Sequence, residues 1–253
     1  MTKQEQIDKM KEMSGSSQDK RPTYDVPEYK LHGTKGFFKK QVQDEEGDWV
    51  TKELDKDELS VVILKVRRKF LKFIREGDSN KTLWSTEYNN NGEKARLFEA
   101  LEGQSKLVDE GTPPELRERN TLSGATNYII YCLVDGEIAR LSIKGAGLET
   151  WFDYNNSLKE AGEEIFTVET TVSFEKVEDG SIDYYRLSFE IGDEVEDLDA
   201  IQEMMEEINK ETGKIDDFVK GEIEQAGTPE DKAQKEVKEE VEYETITPDD
   251  VPF

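Results

Sequence analysis

The amino-acid sequence predicts a mainly β protein of the α+β kind: a five-stranded barrel with an insertion, then an acidic helical region and a disordered acidic tail. Three observations support this prediction. Branched and aromatic residues dominate a long run from Ser60 to Ile74. Asp135-Gly136 separates two short apolar segments, which is a strong hairpin signal. Residues 166–175 alternate strictly between apolar and polar side chains, as in a half-buried strand.

The 253-residue chain has a formal charge of −25, and this charge is unevenly distributed. Residues 191–253 hold 22 acidic and six basic side chains, a net charge of −16, which leaves −9 for residues 1–190. Such segregation is typical of chains with an acidic interaction tail. Because phosphate binding depends on local potential, the overall charge does not exclude a nucleic-acid partner.

The first half of the chain contains a leader, the long strand and an insertion. Residues 1–27 are polar and predict a disordered leader before a domain that spans residues 28–192. The Ser60–Ile74 run is long for one strand and predicts a bent one, although periodicity alone also fits an amphipathic helix. Residues 76–126 form the insertion, with a helix expected after Pro113-Pro114.

The second half has clearer signals. Strands are predicted over Tyr128–Val134 and Glu137–Ile143, and a helix over residues 147–161. A second hairpin joins the alternating segment at 166–175 to one around Tyr185–Phe189. Five strands with a helix between the third and fourth is the order of an OB-fold, although other small barrels and α+β sheets share parts of this pattern.

The last quarter of the chain changes character. Apolar residues recur at helical spacing among acidic ones, which predicts an amphipathic helix in an acidic helical region over residues 193–226. A second helical piece is expected at Ile215–Ile223. Residues 227–253 are rich in Glu, Lys, Thr and Pro, and this composition predicts disorder.

The cations of the long strand are the first candidates for function. The strand has six basic side chains and no acidic one from Ser60 to Arg75. Because alternate side chains of a strand share a face, Lys65, Arg67 and Lys69 are expected to project together, about 6.6 Å apart, which suits a single-stranded phosphate backbone. The expected opposite face consists of Leu64, Val66 and Phe70. The alternative is a solvated basic face that balances nearby acids. The candidate phosphate contacts are Lys65, Arg67, Lys69, Lys72, Arg96, Arg140 and Lys144.

Aromatic side chains supply the second requirement, since single strands are held in part by stacking of bases on aromatic rings. Trp84 and Tyr88 stand in a polar segment that would bury them poorly, so they are the candidate stacking residues. Weaker candidates are Trp49, Tyr128 and Tyr184. A structural role in the core is the alternative for each of these rings.

The chain ends in Asp249, Asp250, Val251, Pro252 and Phe253. This ending resembles the C-terminal tip of bacterial single-stranded DNA-binding proteins. The Phe253 ring suits an apolar pocket, its carboxylate an arginine, and the two aspartates a basic ridge on a partner. These five residues are therefore the candidate partner-docking site. A tethered acidic tail also competes with DNA for a basic groove, so removal of residues 227–253 is expected to tighten DNA binding at low salt.

The region from Ser60 to Glu190 resembles phage-encoded single-stranded DNA-binding proteins of replication or recombination. The segments that carry the likeness are VVILKVRRKF, WSTEYN, YIIYCLVDGEIARLSIKGAGL and YYRLSFEIG. The resemblance implies an OB-fold and single-stranded DNA as the ligand. The longer domain, the insertion and the helical region depart from the bacterial proteins, so a monomer or dimer is expected rather than their tetramer.

Several other classes of protein fit the sequence poorly. One cysteine (Cys132) and one histidine (His32) exclude a disulfide framework and a Cys/His zinc site, and Cys132 is expected to be a buried thiol. No cofactor, catalytic residue or metal site is predicted, although composition alone leaves a magnesium-dependent nuclease open. The absence of a signal segment or long apolar run predicts a cytoplasmic protein without a membrane partner.

The leading interpretation is a non-enzymatic protein that binds single-stranded DNA without strong sequence preference. It would protect the strand and recruit replication, recombination or repair proteins through its C-terminal tip. The alternative is an acidic DNA mimic that occupies DNA-processing enzymes, which accounts for the charge of −25 but not for the cation-rich strand.

Overall fold

The computed structural model describes residues 25–44, 46, 48–76, 79–101, 104–180 and 182–226. These residues form eleven strands and three helices. In chain order the elements are β1 (Glu28–Leu31), β2 (Phe38–Gln43), β3 (Trp49–Glu53), β4 (Leu59–Glu76), β5 (Ser79–Ser85), β6 (Ala95–Leu101), β7 (Gln104–Gly111), α1 (Pro113–Arg119), β8 (Thr126–Val134), β9 (Glu137–Ile143), α2 (Gly147–Ala161), β10 (Val168–Asp179), β11 (Ile182–Glu194) and α3 (Leu198–Ala226).

The chain divides into two units, Tyr24–Gly213 and a second made of Met1–Thr23 with Lys214–Phe253. The first unit contains every described strand, α1, α2 and the first part of α3. In the second unit, the described residues are those of the last part of α3. Most of the predicted leader and the whole predicted tail lie outside the described residues.

The mainly β prediction is confirmed, and the strands form one sheet. Its main path runs β3-β2-β1-β9-β8-β4-β5-β6-β7. Strand β10 pairs with the first residues of β4, on the edge opposite β8, and β11 pairs with β10. In the described part of the chain this sheet is not closed, so the predicted five-stranded barrel is not seen as a complete ring.

Strand β4 is the long strand expected from the Ser60–Ile74 run, and it organises the sheet. It pairs with β8 over Val61–Phe70 and with β5 over Leu71–Glu76. The pairing with β8 shifts register between Ile63 and Lys65, which marks a bulge. The bulge corrects one expectation: Leu64 packs with Ile129 on the same side as the cations, because the extra residue breaks strict alternation.

Turn and helix-start residues in the sequence correctly predicted the β8–β9 hairpin and helices α1 and α2. Strands β8 and β9 form the predicted hairpin, with positive φ at both Asp135 (52°) and Gly136 (80°), as a two-residue hairpin turn requires. Helix α1 starts at Pro113, with a capping box between Thr112 and Glu115. Helix α2 spans the predicted 147–161, and its last carbonyls are capped by the Gly162 backbone.

Two parts of the fold differ from expectation. Three strands, β1 to β3, precede β4 where no element was predicted, and the insertion contains three strands in addition to α1. In place of two helical pieces, α3 runs unbroken from Leu198 to Ala226. The acidic helical region was expected from residue 193, but β11 continues to Glu194 and the helix begins only at Leu198.

Three apolar clusters stabilise these layers. The largest fills the space between the sheet and α2, with Trp151, Tyr154 and Phe189 in mutual ring contact. A second lies between the last part of β4, the insertion strands and α1, around Phe70. The third lies on the other side of β4 and β8 beneath the first part of α3, around Ile208. That side of the sheet, which carries Lys65, Arg67 and Lys69, is called the outer face below.

Candidate nucleic-acid interface

A groove of about 640 Å³ crosses the outer face. Backbone pairing places β4, β8, β9 and β1 side by side, and Tyr185 of β11 donates its backbone N–H to the Gly33 carbonyl after β1. The groove therefore runs across five adjacent chain segments rather than along one strand. Its charged and aromatic lining side chains are Glu28, Lys30, Lys69, Phe73, Lys144, Tyr184, Tyr185 and Arg186.

Strand register explains how these side chains converge. Lys69 of β4 pairs with Asn127 of β8, and both line the groove. Because alternate side chains of a strand share a face, Leu71 and Phe73, two and four residues after Lys69, also line the groove. Lys144 stands where β9 ends, at a turn in which Gly145 has a φ of 58°.

The charged side chains that line the groove are mainly cations, although the chain is strongly acidic. This lining includes four cations and one carboxylate, Glu28, so its formal charge is +3 against −25 for the chain. Clefts lined by one sign of charge concentrate the opposite charge near the surface. The groove thus favours an anion, and its length across several strands favours an extended one.

Lys69 and Lys144 are the groove cations best placed to bind an anion. Within the described ranges, neither of their ammonium groups has a hydrogen-bond or ion-pair partner. Burial lowers the pKa of Lys69 from its ordinary 10.5, while the charges of Glu87 and Glu28 act in the opposite direction. A half-buried ammonium without a bonded counter-ion is stabilised by an incoming phosphate, which replaces the lost water.

The other two groove cations already hold carboxylates. Lys30 Nζ lies 3.0 Å from Glu28 Oε2, and Arg186 contacts Glu175 and Glu149 at 2.6 and 2.9 Å. Burial works against ionisation of Glu28, but the Ser142 hydroxyl and the Lys30 ammonium together lower its pKa. Lys30 and Arg186 therefore shape the groove charge but are less available than Lys69 and Lys144.

Arg67 does not contribute a phosphate contact, contrary to the prediction. Its side chain is 1% exposed, and its Nε lies 3.3 Å from Glu87 Oε2. The Tyr131 hydroxyl donates to the same carboxylate oxygen at 2.9 Å. Arg140 lies 4.0 Å from Glu87 and from Glu28, beside the groove. The insertion thus supplies a carboxylate that neutralises part of the predicted cation row.

Lys65 and Lys72 are also engaged within the protein. Lys65 Nζ donates to Asn209 Oδ1 at 2.9 Å and to Thr212 Oγ1 at 2.7 Å, both on α3. Lys72 donates to the Thr121 carbonyl at 2.6 Å. The three predicted cations Lys65, Arg67 and Lys69 share one face, yet only Lys69 lines the groove.

The predicted insertion residues lie outside the groove. Tyr88 is 1% exposed and packs against Phe70, so the prediction that it stacks on a base is wrong for this structure. Trp84 is half-buried and stacks on Phe98 at 4.5 Å, and the buried Arg96 guanidinium lies over the same ring. These three side chains belong to the packing of the insertion.

The structure adds groove residues that the sequence did not single out. Phe73 is 71% exposed at the end of β4, and only its even spacing from Lys69 signalled its position. Lys30 and Arg186 come from strands far apart in the chain, so no local pattern connected them. Tyr184, a weaker candidate, does line the groove, whereas the candidates Trp49 and Tyr128 do not.

Cys132 is fully buried, as predicted, and burial raises the pKa of its thiol to about 12. In the part of the chain that the structure describes, no three His, Cys, Asp or Glu side chains are arranged to hold a metal ion. None of the described helices is both long and apolar enough to cross a membrane. The partner-docking residues Asp249, Asp250, Val251, Pro252 and Phe253 lie outside the described residues.

Comparisons with known proteins return no relative. No protein-family model matches the chain, and neither the curated proteins nor the solved structures include one that is significantly similar to it.

Proposed function

We propose that the protein binds single-stranded DNA in the groove, without strong sequence preference. The observation that carries the proposal is a groove whose lining has a formal charge of +3, one exposed ring (Phe73) and two half-buried tyrosine rings, on a chain with a charge of −25. Lys69 and Lys144 contact phosphates, and Phe73 and Tyr184 provide ring faces for bases. Cations with ring faces are the combination by which single strands are bound irrespective of sequence.

The dimensions of the groove favour a single strand over a duplex. Five adjacent segments about 4.8 Å apart span about 19 Å. This length accommodates about four to six nucleotides, which lies within the site sizes known for small single-strand-binding barrels. A duplex about 20 Å wide would meet only the rim of a groove of this volume, so Lys69, which is half-buried, would remain out of its reach.

The proposal includes the fold type. Strands β4, β8, β9, β10 and β11, with α2 between the third and fourth, follow the order of an OB-fold. The pairings β4–β8, β8–β9, β4–β10 and β10–β11 support this assignment. Strand β1 pairs with β9 on one edge and with β2 on the other, and Gly33, just after β1, accepts a hydrogen bond from the Tyr185 backbone N–H of β11.

A docking role for the C-terminal tip completes the proposal. Asp249, Asp250 and the terminal Val-Pro-Phe present two carboxylates, a ring and a free carboxylate to replication, recombination or repair proteins. Groove binding protects the strand, while the tip recruits the enzymes that act on it.

The test is a titration of fluorescently labelled oligo-dT with the full chain, followed by fluorescence anisotropy at several salt concentrations. We expect binding that weakens with salt, with a log–log slope of about −0.7 for each phosphate neutralised. Labelled duplex and RNA of the same length test the preference for DNA single strands. The Lys69→Glu/Lys144→Glu double variant is expected to lose binding, whereas Lys52→Glu/Lys159→Glu, the same charge change away from the groove, should keep most of it.

The alternative function, an acidic DNA mimic, is favoured by the charge of −25 and by the acidic surface of α3. It predicts no oligo-dT binding by the wild-type chain and inhibition of a DNA-binding enzyme that is reversed by salt. Absence of oligo-dT binding at low salt would therefore overturn the proposed function in favour of the mimic. Incubation with Mg²⁺ tests the nuclease alternative, which predicts shortened fragments.

A further inference from the structure

The first part of α3 packs on the outer face, on the same strand that lines the groove. Ile201 and Ile208 are buried against Leu64, Ile129 and Tyr131. Lys65 is bonded to this helix through Asn209 and Thr212. The same face of β4 therefore meets α3 at Lys65 and the groove at Lys69.

The helix is stabilised by a capping hydrogen bond at its start and by a side-chain hydrogen bond within it. The Asp197 carboxylate accepts a hydrogen bond from the Ala200 backbone N–H at 2.9 Å, which caps the helix start. Thr212 is fully buried, and its hydroxyl donates to the Ile208 carbonyl at 2.7 Å. These contacts stabilise the helix itself, whereas the packing of Ile201 and Ile208 and the hydrogen bonds from Lys65 attach it to the sheet.

The helix also brings negative charge to this face. Between Leu198 and Gly213 it has five acidic residues and one lysine, a net charge of −4. Asp199, Glu203 and Glu206 are exposed, and none of them forms an ion pair within the described ranges. Lys65 and Lys69 are about 13 Å apart along the strand. Because Lys65 contacts the helix and Lys69 lines the groove, this is also roughly the distance over which the helix charge acts on a phosphate in the groove. It exceeds the screening length of about 8–10 Å at ordinary salt, so the helix repels such a phosphate mainly at low salt.

We propose that the first part of α3 is the boundary that ends the nucleic-acid path. It confines a bound strand to the groove across the five segments and prevents it from continuing along β4 over Lys65 and Arg67. The inference rests on the proposed function. In this proposal, an acidic helix limits the length of the binding site. A basic surface alone would set no such limit.

The test compares two full-length triple variants with the same charge change. One neutralises the exposed helix acids: Asp199→Asn, Glu203→Gln and Glu206→Gln. The control neutralises exposed acids elsewhere: Asp55→Asn, Asp57→Asn and Glu160→Gln. Each protein is titrated with oligo-dT of about six nucleotides, which fills the groove, and of about fifteen, which extends beyond it. Site size is measured as nucleotides bound per chain at saturation on poly(dT).

We expect the helix variant to bind the longer oligomer about three- to tenfold more tightly at low salt, with a larger site size on poly(dT). Its affinity for the shorter oligomer should change less than twofold, and the control should match the wild type for both lengths. An equal gain for both lengths, or the same gain in the control, overturns the boundary and leaves the proposed function standing. If the wild type binds neither oligomer, the proposed function itself fails, and this inference fails with it.

Discussion

Arg67 Nε lies 3.3 Å from Glu87 Oε2, in a contact that joins the long strand β4 to the insertion. The arginine is 1% exposed, and the glutamate also accepts a hydrogen bond from the Tyr131 hydroxyl. Removing the carboxylate beside a buried guanidinium is costly, because the positive charge stays away from water and loses its nearby negative charge. This pair is therefore a structural contact on which the position of the outer face depends.

Replacement of Glu87 tests this role. We expect Glu87→Gln to lower the free energy of unfolding by about 3 kcal/mol, because the buried Arg67 guanidinium loses the carboxylate charge beside it. Glu149→Gln, the same substitution in the exposed pair with Arg186, should change it by no more than about 1 kcal/mol. Urea unfolding followed by circular dichroism measures both values. If both substitutions lowered the free energy of unfolding equally, the buried Arg67–Glu87 pair would contribute no more to stability than the exposed pair.

Single substitutions of Lys69 and Lys144 test the two cations assigned to phosphates. Lys69→Ala and Lys144→Ala should each weaken oligo-dT binding about three- to tenfold at low salt, and each should reduce the salt slope by about 0.7. Lys159→Ala, at the far end of α2, is the matched control. Fluorescence anisotropy over a series of salt concentrations gives both quantities. A loss of affinity with an unchanged slope would argue against a phosphate contact.

The exposed ring of Phe73 provides a test of base stacking. Phe73→Ala should cost about 1–3 kcal/mol of binding, or about five- to 150-fold in affinity, because a base loses its stacking partner. Its effect on stability should be small, since the side chain is 71% exposed. Phe152→Ala removes another exposed ring, which does not line the groove, and should leave binding unchanged. Similar losses in both variants would contradict the assignment.

The lowered pKa of Lys69 predicts a pH dependence of binding. Only the protonated amine attracts phosphate, and burial makes Lys69 lose its proton below the ordinary lysine pKa of 10.5. Affinity for oligo-dT should therefore fall as pH rises from neutrality toward that value. Lys69→Arg stays charged throughout and should lose less affinity over the same range. Parallel curves for the two proteins would show that Lys69 does not carry the pH dependence.

Neutralising Glu28 should raise the affinity for oligo-dT, whereas removing a groove cation should lower it. Glu28→Gln raises the formal charge of the groove lining from +3 to +4 and removes the ion-pair partner of Lys30, so oligo-dT should bind about two- to fivefold more tightly at low salt. The gain should disappear at high salt because the interaction is screened. Glu53→Gln, on the exposed strand β3, is the control. Isothermal calorimetry at two salt concentrations makes the comparison.

Sequence reasoning succeeded where the information is local. The hairpin at Asp135-Gly136 was predictable because the turn needs two residues with positive φ, and α2 because apolar residues recur at helical spacing up to Gly162. Strands β1 to β3 were not predicted because they are short, polar and partly exposed. Strand β1 is placed by its pairing with β9, more than 100 residues later in the chain, which no local window contains.

The same distinction applies to the candidate site. Lys69 and Lys144 were among the predicted cations and do line the groove, because strand alternation and the end of β9 placed them there. Arg67 was misassigned because its partner Glu87 comes from the insertion, and Tyr88 because its ring is covered by packing around Phe70.

By itself, the sequence determined the mainly β class, the hairpin, the helix that follows it, the buried thiol and the concentration of cations in one strand. These properties follow from side-chain periodicity and turn chemistry, which act over a few residues. Only the tertiary structure decided which cations remain available, since that depends on Glu87, Glu28 and the first part of α3 coming within a few ångströms of them. Electrostatic attraction and burial act through space, so residues distant in the chain determine where the positive groove lies.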